Sequence, residues 1–182
     1  MIGPSVTQGF RVRARNTESI RRQALAIRPL LVPKNAPFFE MGWFIERLFD
    51  FGITWDVVEA KELPFGVEAC CAPEHLLIQF SEQTYSRACR DDPRARFTVI
   101  HELGHIAMAH TRPLNRQNDG EEIKAFQDSE WQANTFAAEF LMPLDDMKKR
   151  ALSTPDLLQL EYQVSGQAAE TRITKLRKRG EI

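Results

Sequence analysis

The segment His101-Glu-Leu-Gly-His105 places two imidazoles at a spacing that suits one divalent cation. On an α-helix at about 100° per residue, His101 and His105 lie about 40° apart and one turn from each other, so both rings can reach one tetrahedral ion. Glu102 points away from that direction, where it can contact a water molecule beside the metal without ligating it. The spacing therefore predicts a zinc-dependent hydrolytic centre with Glu102 as general base.

A third ligand is predicted from the next helical segment. Glu130 precedes Ala133 by three residues, and Ala133 opens an apolar stripe of helical period. A carboxylate on such a core-facing stripe is costly unless it is paired or coordinates a metal. The predicted ligands are therefore the two histidines and Glu130, around Zn²⁺. Asn134 lies one turn after Glu130 and is expected to hydrogen-bond the free nitrogen of a ligating histidine.

Two other interpretations of these residues remain open at the level of sequence. A His-Glu-x-x-His match can arise by chance on a surface helix, although here both histidines fall on an apolar stripe. A closed structural zinc site would need a fourth protein ligand. The candidates for that ligand are Cys70, Cys71, His75, Cys89 and His110. Three ligands with an adjacent glutamate favour an open, catalytic site. His75 and His110 are weak candidates for a further group that polarises the scissile carbonyl.

The flanking residues predict where the two helices of the site begin. Asp92-Pro93 supplies an N-cap and a proline at the first helical position. Ser129 with Gln132 fits a capping box, which predicts that the second helix begins at Glu130 or earlier. Gly104 is unusual, because glycine inside a helix costs about 1 kcal/mol relative to alanine. We expect it to permit the close approach of another backbone to the metal.

The two blocks that carry these residues resemble the signature of the ImmA/IrrE family of zinc metallopeptidases. They are His101-Glu-Leu-Gly-His105, within FTVIHELGHIAMAH, and EWQANTFAAEFLMP from Glu130 to Pro143. The segment VSGQAAETRITKL, residues 164–176, also resembles the closing segment of compact family members, so the similarity covers residues from about 50 to 177.

The resemblance implies a function as well as a site. It assigns His101, His105 and Glu130 as zinc ligands and Glu102 as the catalytic base. Family members characteristically cleave, or otherwise inactivate, a helix-turn-helix transcriptional repressor, often encoded beside them. The expected function is therefore a zinc endopeptidase that relieves repression. An anti-repressor that sequesters its partner without proteolysis is the alternative, and the sequence leaves the repressor, the cleavage site, the activating signal and the oligomeric state undetermined.

Composition agrees with a compact intracellular protein. The 182 residues are 43% hydrophobic and 27% charged, with a formal net charge of −1. These values are typical of one well-packed domain. The sequence contains no apolar run near the ~20 residues that span a membrane and opens with no signal-peptide pattern, so the cytoplasm is the expected location. Cys70, Cys71 and Cys89 are expected to be reduced, buried thiols, with capping of the zinc as an alternative role for one of them.

Hydrophobic periodicity predicts an α+β fold. Helical periods cover residues 16–31 and 37–51, the second with Phe39, Trp43, Ile45 and Leu48 on or near its buried side. Alternating patterns then predict three short strands near residues 53–57, 67–71 and 76–80, with a hairpin at Pro73-Glu74. A helix over 81–90 leads to the metal helix. The prediction is a small three-stranded sheet packed against helices that include the His-Glu-x-x-His helix, with a helix-turn-helix-like C-terminal tail.

The hairpin over 67–80 has two interpretations. Proteases often hold an extended peptide as an added strand on an exposed sheet edge, and this hairpin is the candidate edge. A hairpin that serves only the core explains the pattern equally well.

The predicted domains are a metallopeptidase domain over residues 1–150 and a helical tail over 151–182. The tail suggests DNA binding as a further alternative, because its second helix is basic. Its cations are Arg172, Lys175, Arg177, Lys178 and Arg179. A net charge near zero makes a solvated or protein-docking helix the preferred interpretation, so direct nucleic-acid binding is the less favoured of the possible partnerships.

Overall fold

The computed structural model describes residues 9–111 and 123–182, so residues 1–8 and 112–122 of the predicted domain 1–150 lie outside the described part. The fold is α+β, as predicted. The helices are α1 (Thr17–Leu31), α2 (Met41–Arg47), α3 (Glu82–Ala88), α4 (Pro93–Ala107), α5 (Ser129–Leu141), α6 (Leu144–Lys149), α7 (Pro155–Tyr162) and α8 (Gly166–Lys178). The strands are β1 (Thr54–Val58), β2 (Ala69–Ala72) and β3 (Leu77–Ser81).

The three strands form one mixed sheet in the order β1-β3-β2. β1 runs parallel to β3, whereas β2 and β3 are antiparallel and are joined by a short 3₁₀ turn over Pro73–His75, which confirms the predicted hairpin. β2 lies against α4 and is an edge of the sheet within the described residues. The edge strand and the His-Glu-x-x-His helix are therefore neighbours.

α4 begins where the sequence predicts. The carboxylate of Asp92 accepts hydrogen bonds from the backbone N–H groups of Arg94 and Ala95, at 3.1 and 3.0 Å, and Pro93 occupies the first turn. These contacts satisfy N–H groups that would otherwise lack partners at the helix start. The cap therefore fixes the register of the helix that carries both histidines.

The capping residue of α5 differs from the prediction. Asp128, not Ser129, is the N-cap, and its carboxylate accepts from the N–H groups of Glu130 and Trp131 at 2.7 and 3.2 Å. The hydroxyl of Ser129 instead accepts a hydrogen bond from the N–H of Phe10 at 3.1 Å. The capping box proposed for Ser129 and Gln132 is therefore wrong, because both side chains bond to distant parts of the chain.

Gly104 serves a close helix crossing, and not the predicted approach of a backbone to the metal. A Cβ placed on Gly104 would lie 3.1–3.3 Å from the side chain of Phe136 on α5. Phe136 is fully buried and stacks on Phe140, with ring centroids 5.8 Å apart. The glycine therefore lets α4 and α5 pack closely enough for the side chains of both helices to meet at one site.

The second predicted helix is shorter than expected. α2 begins at Met41, so residues 37–40 lie outside it, and a 3₁₀ turn over Leu48–Phe51 completes the segment before Gly52, whose φ is +74°. Phe39, Ile45 and Leu48 are buried as predicted. The placement of Trp43 on or near the buried side is wrong, because 41% of its surface is exposed and its ring packs on the guanidinium of Arg47.

The C-terminal helices pack into the same core as the helices of the site. Leu158, Tyr162, Ile173 and Leu176 belong to the cluster of buried side chains that also contains Phe140. The position of a domain boundary near residue 150 stays a prediction. None of the helices within residues 9–111 and 123–182 has the length and apolar character needed to cross a membrane.

Candidate metal centre

Side chains from α4 and α5 converge at the crossing of the two helices. The Nε2 atoms of His101 and His105 lie 3.1 Å apart. The carboxylate of Glu130 lies 3.2 Å from the first and 3.4 Å from the second. The candidate ligand atoms of all three residues fall within 4.8 Å of one another. The structure thus brings together the three residues that the sequence predicts as ligands.

The second nitrogen of each histidine is engaged on the far side of its ring. His101 Nδ1 lies 3.2 Å from Oδ1 of Asn134, the contact predicted from the spacing of Asn134 and Glu130. His105 Nδ1 lies 3.0 Å from Nδ1 of His110. Because the amide oxygen of Asn134 can only accept, His101 donates from Nδ1 and leaves a lone pair on Nε2.

The chemistry of this cluster suits a cation. A Nε2 lone pair of His101 and the Glu130 carboxylate face the Nε2 atom of His105 at 3.1–3.4 Å. Facing acceptors repel one another unless a proton or a cation lies between them. Two ligand atoms bound to zinc at about 2.0–2.1 Å in tetrahedral geometry lie roughly 3.3 Å apart, close to the separations found here. Histidine and glutamate are ordinary zinc ligands, so the residues fit a zinc ion.

Charge and burial shift the protonation of these ligand groups in opposite directions. Burial alone would raise the pKa of Glu130, but hydrogen bonds and attraction from the two histidines hold it well below its usual range. Burial alone would lower the pKa of His101, but Glu130 and Glu102 raise it above its ordinary value. The cluster therefore has an anionic side, at Glu130, that attracts positive charge.

Glu102 lies beside the cluster and outside the ligand set. Its side chain is buried, with 8% of the residue surface exposed, and burial raises its pKa. Cys71 of β2 is its hydrogen-bond neighbour, and burial together with the Glu102 charge raises the pKa of that thiol. A buried carboxyl of raised pKa takes up a proton more readily than an exposed one, which suits a general base.

A cavity of about 350 Å³ opens onto the cluster. His101, Glu102 and Glu130 contribute to its wall, and the segment 66–69 at the start of β2 forms another part. Phe97 and Thr98 line it from α4. The cluster is thus accessible from the side on which the sheet edge lies.

The other sequence candidates do not join the ligand cluster. Within residues 9–111 and 123–182, His101, His105 and Glu130 form the metal-site group without a fourth side chain, which favours an open site. His75 is exposed on the 3₁₀ turn after β2. Cys70 and Cys71 are half-buried, and Cys89 is exposed, so the expectation of a buried thiol is wrong for Cys89.

Two residues near the site were not assigned their roles from sequence. His110 is buried and bonds to His105 and to the amide oxygen of Gln132, which lies 3.0 Å from His110 Nε2. Burial lowers the pKa of His110 to about 4, so its ring is neutral near pH 7. The position of His110 five residues after His105 is the available signal, but the sequence offers none for Gln132, because one of its other partners is the carbonyl of Arg13, 119 residues earlier in the chain.

Comparisons with known proteins bear on this geometry. A family model described as Peptidase_M78, the IrrE N-terminal-like domain, matches residues 85–174. This part of the chain belongs to the Peptidase_M78 family. The match contains α4, α5 and the whole candidate metal centre, and it confirms the resemblance stated from the sequence motifs. The chain therefore carries a metallopeptidase-type domain of the IrrE kind.

The Peptidase_M78 fold also has a counterpart among solved structures. A Mycobacterium tuberculosis transcriptional regulator matches 84% of this chain with a TM-score of 0.50 and 17% sequence identity. The chain spans 46% of the length of that regulator. At this identity the likeness concerns the fold alone. A search of curated proteins gave no significant match.

Proposed function

We propose that the protein is a zinc-dependent endopeptidase that cleaves a protein substrate, with a helix-turn-helix transcriptional repressor as the preferred class. The observation that supports this proposal is the convergence of His101, His105 and Glu130 beside the buried carboxyl of Glu102, on the wall of an open cavity. Peptidase_M78 membership supports the chemistry. The resemblance to the ImmA/IrrE family supports the substrate class.

Different residues of the chain are assigned to metal binding and to proton transfer in peptide hydrolysis. His101, His105 and Glu130 would hold the zinc ion, which when bound supplies Lewis-acid activation of water and of the peptide carbonyl. Glu102 accepts a proton from the attacking water as the water oxygen bonds to the carbonyl carbon. Glu102 then returns that proton to the amide nitrogen as the carbon–nitrogen bond breaks. The raised pKa of Glu102 favours the first of these transfers.

The edge of β2 is the proposed binding surface for the substrate backbone. β2 pairs with β3 on one side, and within the described residues no strand pairs with its other side. Residues 66–69 also line the cavity beside the metal centre. An extended peptide added to this edge would hydrogen-bond through its backbone and pass next to Glu102. A helix-turn-helix protein would present such a segment from a loop or an unfolded linker.

Phe65 extends this surface with an apolar group. Its side chain is fully exposed, and it precedes Gly66 in a tight turn closed by the Val67 N–H donating to the Pro64 carbonyl at 2.9 Å. Gly66 has φ +77°, which places it in the left-handed region that such turns favour. A fixed turn that exposes a phenylalanine next to Gly66, which lines the cavity, fits contact with an apolar side chain of the substrate.

The buried position of Arg172 disfavours the DNA-binding alternative. The residue is 3% exposed and pairs with Glu139, and Arg179 pairs with Glu181, so these two tail cations are paired with carboxylates within the described part of the fold. Lys175, Arg177 and Lys178 remain exposed. Salt-dependent binding of the purified protein to DNA would restore this alternative, and no binding at low salt would exclude it.

Co-production with a candidate repressor tests the proposed function. The chain is produced with a helix-turn-helix regulator encoded beside its gene, as the native sequence, as Glu102→Gln and as Glu170→Gln, a control on the exposed face of α8. We expect a repressor fragment with the native chain and the control, and an intact repressor with Glu102→Gln although zinc remains bound. An intact complex with all three proteins would support sequestration and overturn proteolysis.

A further inference from the structure

The side chain of Gln132 lies in the interior of the protein with all of its hydrogen-bonding groups engaged. It is 0% exposed. Its Nε2 group donates to the carbonyl oxygens of Arg13 and Phe126, each at 2.8 Å. Its Oε1 atom lies 3.0 Å from Nε2 of His110. Buried amides with complete partners hold one orientation, because a flip would face the amide oxygen against two carbonyl oxygens.

This orientation dictates where the protons lie on the neighbouring histidines. Since Oε1 of Gln132 only accepts, His110 must donate from Nε2. A neutral imidazole that donates from one nitrogen accepts at the other, so His110 Nδ1 accepts from His105 Nδ1 at 3.0 Å. His105 then carries its proton on Nδ1. The lone pair of His105 is left on Nε2, the atom that faces Glu130 and His101.

The carbonyl groups that orient Gln132 belong partly to an N-terminal segment, residues 10–15, here called the strap. The strap runs along the start of α5 through backbone hydrogen bonds, with Val12 N donating to Gln127 O and Arg15 N donating to Phe126 O, both at 2.8 Å. The Ser129 N–H also donates to the Phe10 carbonyl at 3.1 Å. The Arg13 carbonyl is therefore held in place by bonds on both sides of it.

We propose that Gln132 is a positioning residue for the metal centre: through His110 it holds His105 in the tautomer whose Nε2 can bind a cation, and the strap fixes Gln132. Asn134 performs the equivalent task for His101 with a single contact. The inference rests on the proposed function only for the identity of the site as a metal centre. It concerns the proton positions and the metal affinity, and not peptide hydrolysis.

Nitrogen-15 NMR of the imidazole rings in the metal-free protein tests the proton positions directly. We expect His105 to be protonated at Nδ1 and His110 at Nε2 in the native chain. Gln132→Met, which keeps the length of the side chain but removes the amide, is expected to release His110 into a mixture of tautomers. Thr135→Val is a control on the same helix, because the Thr135 hydroxyl donates to the Trp131 carbonyl within α5, and it should leave the pattern unchanged. A native His110 protonated at Nδ1 would overturn the proposal.

Zinc competition with a chelator supplies the second measurement. Disturbing a residue that hydrogen-bonds to a ligating histidine, as His110 does to His105, typically changes metal affinity by about 10–100-fold. We expect a loss in that range for Gln132→Met, which frees His110, and none for Thr135→Val. Unchanged zinc affinity and unchanged tautomers in Gln132→Met would overturn the proposal. If Gln132→Met does not fold, the tautomers of the native chain still decide it.

The strap is tested separately through Gly9. A Cβ at this position would lie 2.0 Å from Oδ1 of Asp128, whose carboxylate is held by the cap of α5. Because that carboxylate accepts from two N–H groups of α5, we expect Gly9→Ala to displace the strap, with weaker zinc binding and altered His110 tautomers. Unchanged zinc affinity and unchanged His110 tautomers in Gly9→Ala would overturn the role assigned to the strap. If the native chain shows the expected tautomers and binds zinc but cleaves no repressor, only the proposed function is overturned.

Discussion

Arg172 of α8 donates two hydrogen bonds to the carboxylate of Glu139 on α5, at 2.6 and 2.7 Å, and both side chains are buried. Arg21 of α1 donates to the same carboxylate at 2.9 and 3.2 Å and reaches Glu181 near the C-terminus at 2.7 Å. The network joins the first helix, the helix that carries Glu130 and the C-terminal segment. The C-terminal helices therefore contribute to the position of the candidate metal centre.

Replacing Arg172 should destabilise the fold strongly. Arg172→Met leaves the buried Glu139 carboxylate with Arg21 as its remaining cation, and breaking a buried ion pair from one side costs about 3–5 kcal/mol. Because Arg21 remains, we expect a loss near 3 kcal/mol in the free energy of unfolding, measured by urea denaturation. Lys178→Met, on the exposed face of the same helix, should change it by less than about 0.5 kcal/mol. Equal effects of the two substitutions would contradict a structural role for the pair.

The same network predicts a loss of stability in acid. Hydrogen bonds from Arg21 and Arg179 lower the pKa of Glu181 to about 2. Arg172 and Arg21 hold the pKa of Glu139 below its ordinary value despite its burial. A carboxyl whose pKa is lower in the folded state stabilises the fold above its unfolded pKa, about 4.3, and loses that contribution as pH falls toward the folded pKa. Thermal unfolding from pH 7 to pH 2 should therefore show a decline below about pH 4.3 that is smaller in Glu181→Gln. A decline of the same size in this variant would exclude Glu181 as a source.

Two glycines in helices, Gly104 and Gly42, allow the effect of close packing on stability to be distinguished from the effect of helix propensity. Gly104→Ala forces a Cβ against the buried ring of Phe136, and overpacking of this kind costs about 1–3 kcal/mol, against a helix-propensity gain of about 1 kcal/mol. We expect a net loss of stability and weaker zinc binding, because α5 carries Glu130. Gly42→Ala in α2 meets Cys89 at an ordinary 3.8 Å and should stabilise the protein by up to about 1 kcal/mol. A stabilising Gly104→Ala would show that Phe136 can move.

The features predicted correctly from sequence are those that depend on residues close together in the chain. The cap at Asp92, the spacing of His101 and His105 and the turn that separates Glu130 from Asn134 are all local, and helix geometry converts them into positions. The apolar stripe of α5 then required Glu130 to face inward. The hairpin of β2 and β3 was likewise predicted from alternation around one turn.

The features that sequence could not supply depend on distant partners. Gln132 bonds to a carbonyl 119 residues earlier in the chain, and Ser129 bonds to Phe10 over the same separation, so a local capping box was the wrong explanation for both. The exposure of Trp43 depends on its packing with Arg47 at the surface, which helical periodicity does not reveal. The sequence does not distinguish the buried Arg172 from the other tail cations, because its partner Glu139 lies on another helix.

Removing the partner of His101 should weaken metal binding without unfolding the protein. The side-chain oxygen of Asn134 accepts from His101 Nδ1, and Asn134 is exposed, so Asn134→Ala leaves no buried group unpaired. We expect zinc affinity to fall by about 10–100-fold, measured by competition with a chelator, and the free energy of unfolding of the metal-free protein to stay constant. Asn134→Asp keeps an acceptor and should retain most of the affinity. Full affinity in Asn134→Ala would exclude a role for this contact.

The exposed Phe65, which precedes the cavity-lining Gly66, gives a prediction about substrate selection. Phe65→Ser removes an apolar contact and leaves the ligands and Glu102 untouched, so zinc affinity should not change. With a mixed peptide library as substrate, cleavage by the native chain is expected to favour bulky apolar side chains near the scissile bond. Phe65→Ser should lose this preference, because burying one such side chain contributes about 1.5–3 kcal/mol. Leu160→Ser removes another largely exposed apolar residue, on α7, and should preserve the native preference, whereas identical cleavage profiles in all three proteins would exclude Phe65 from substrate contact.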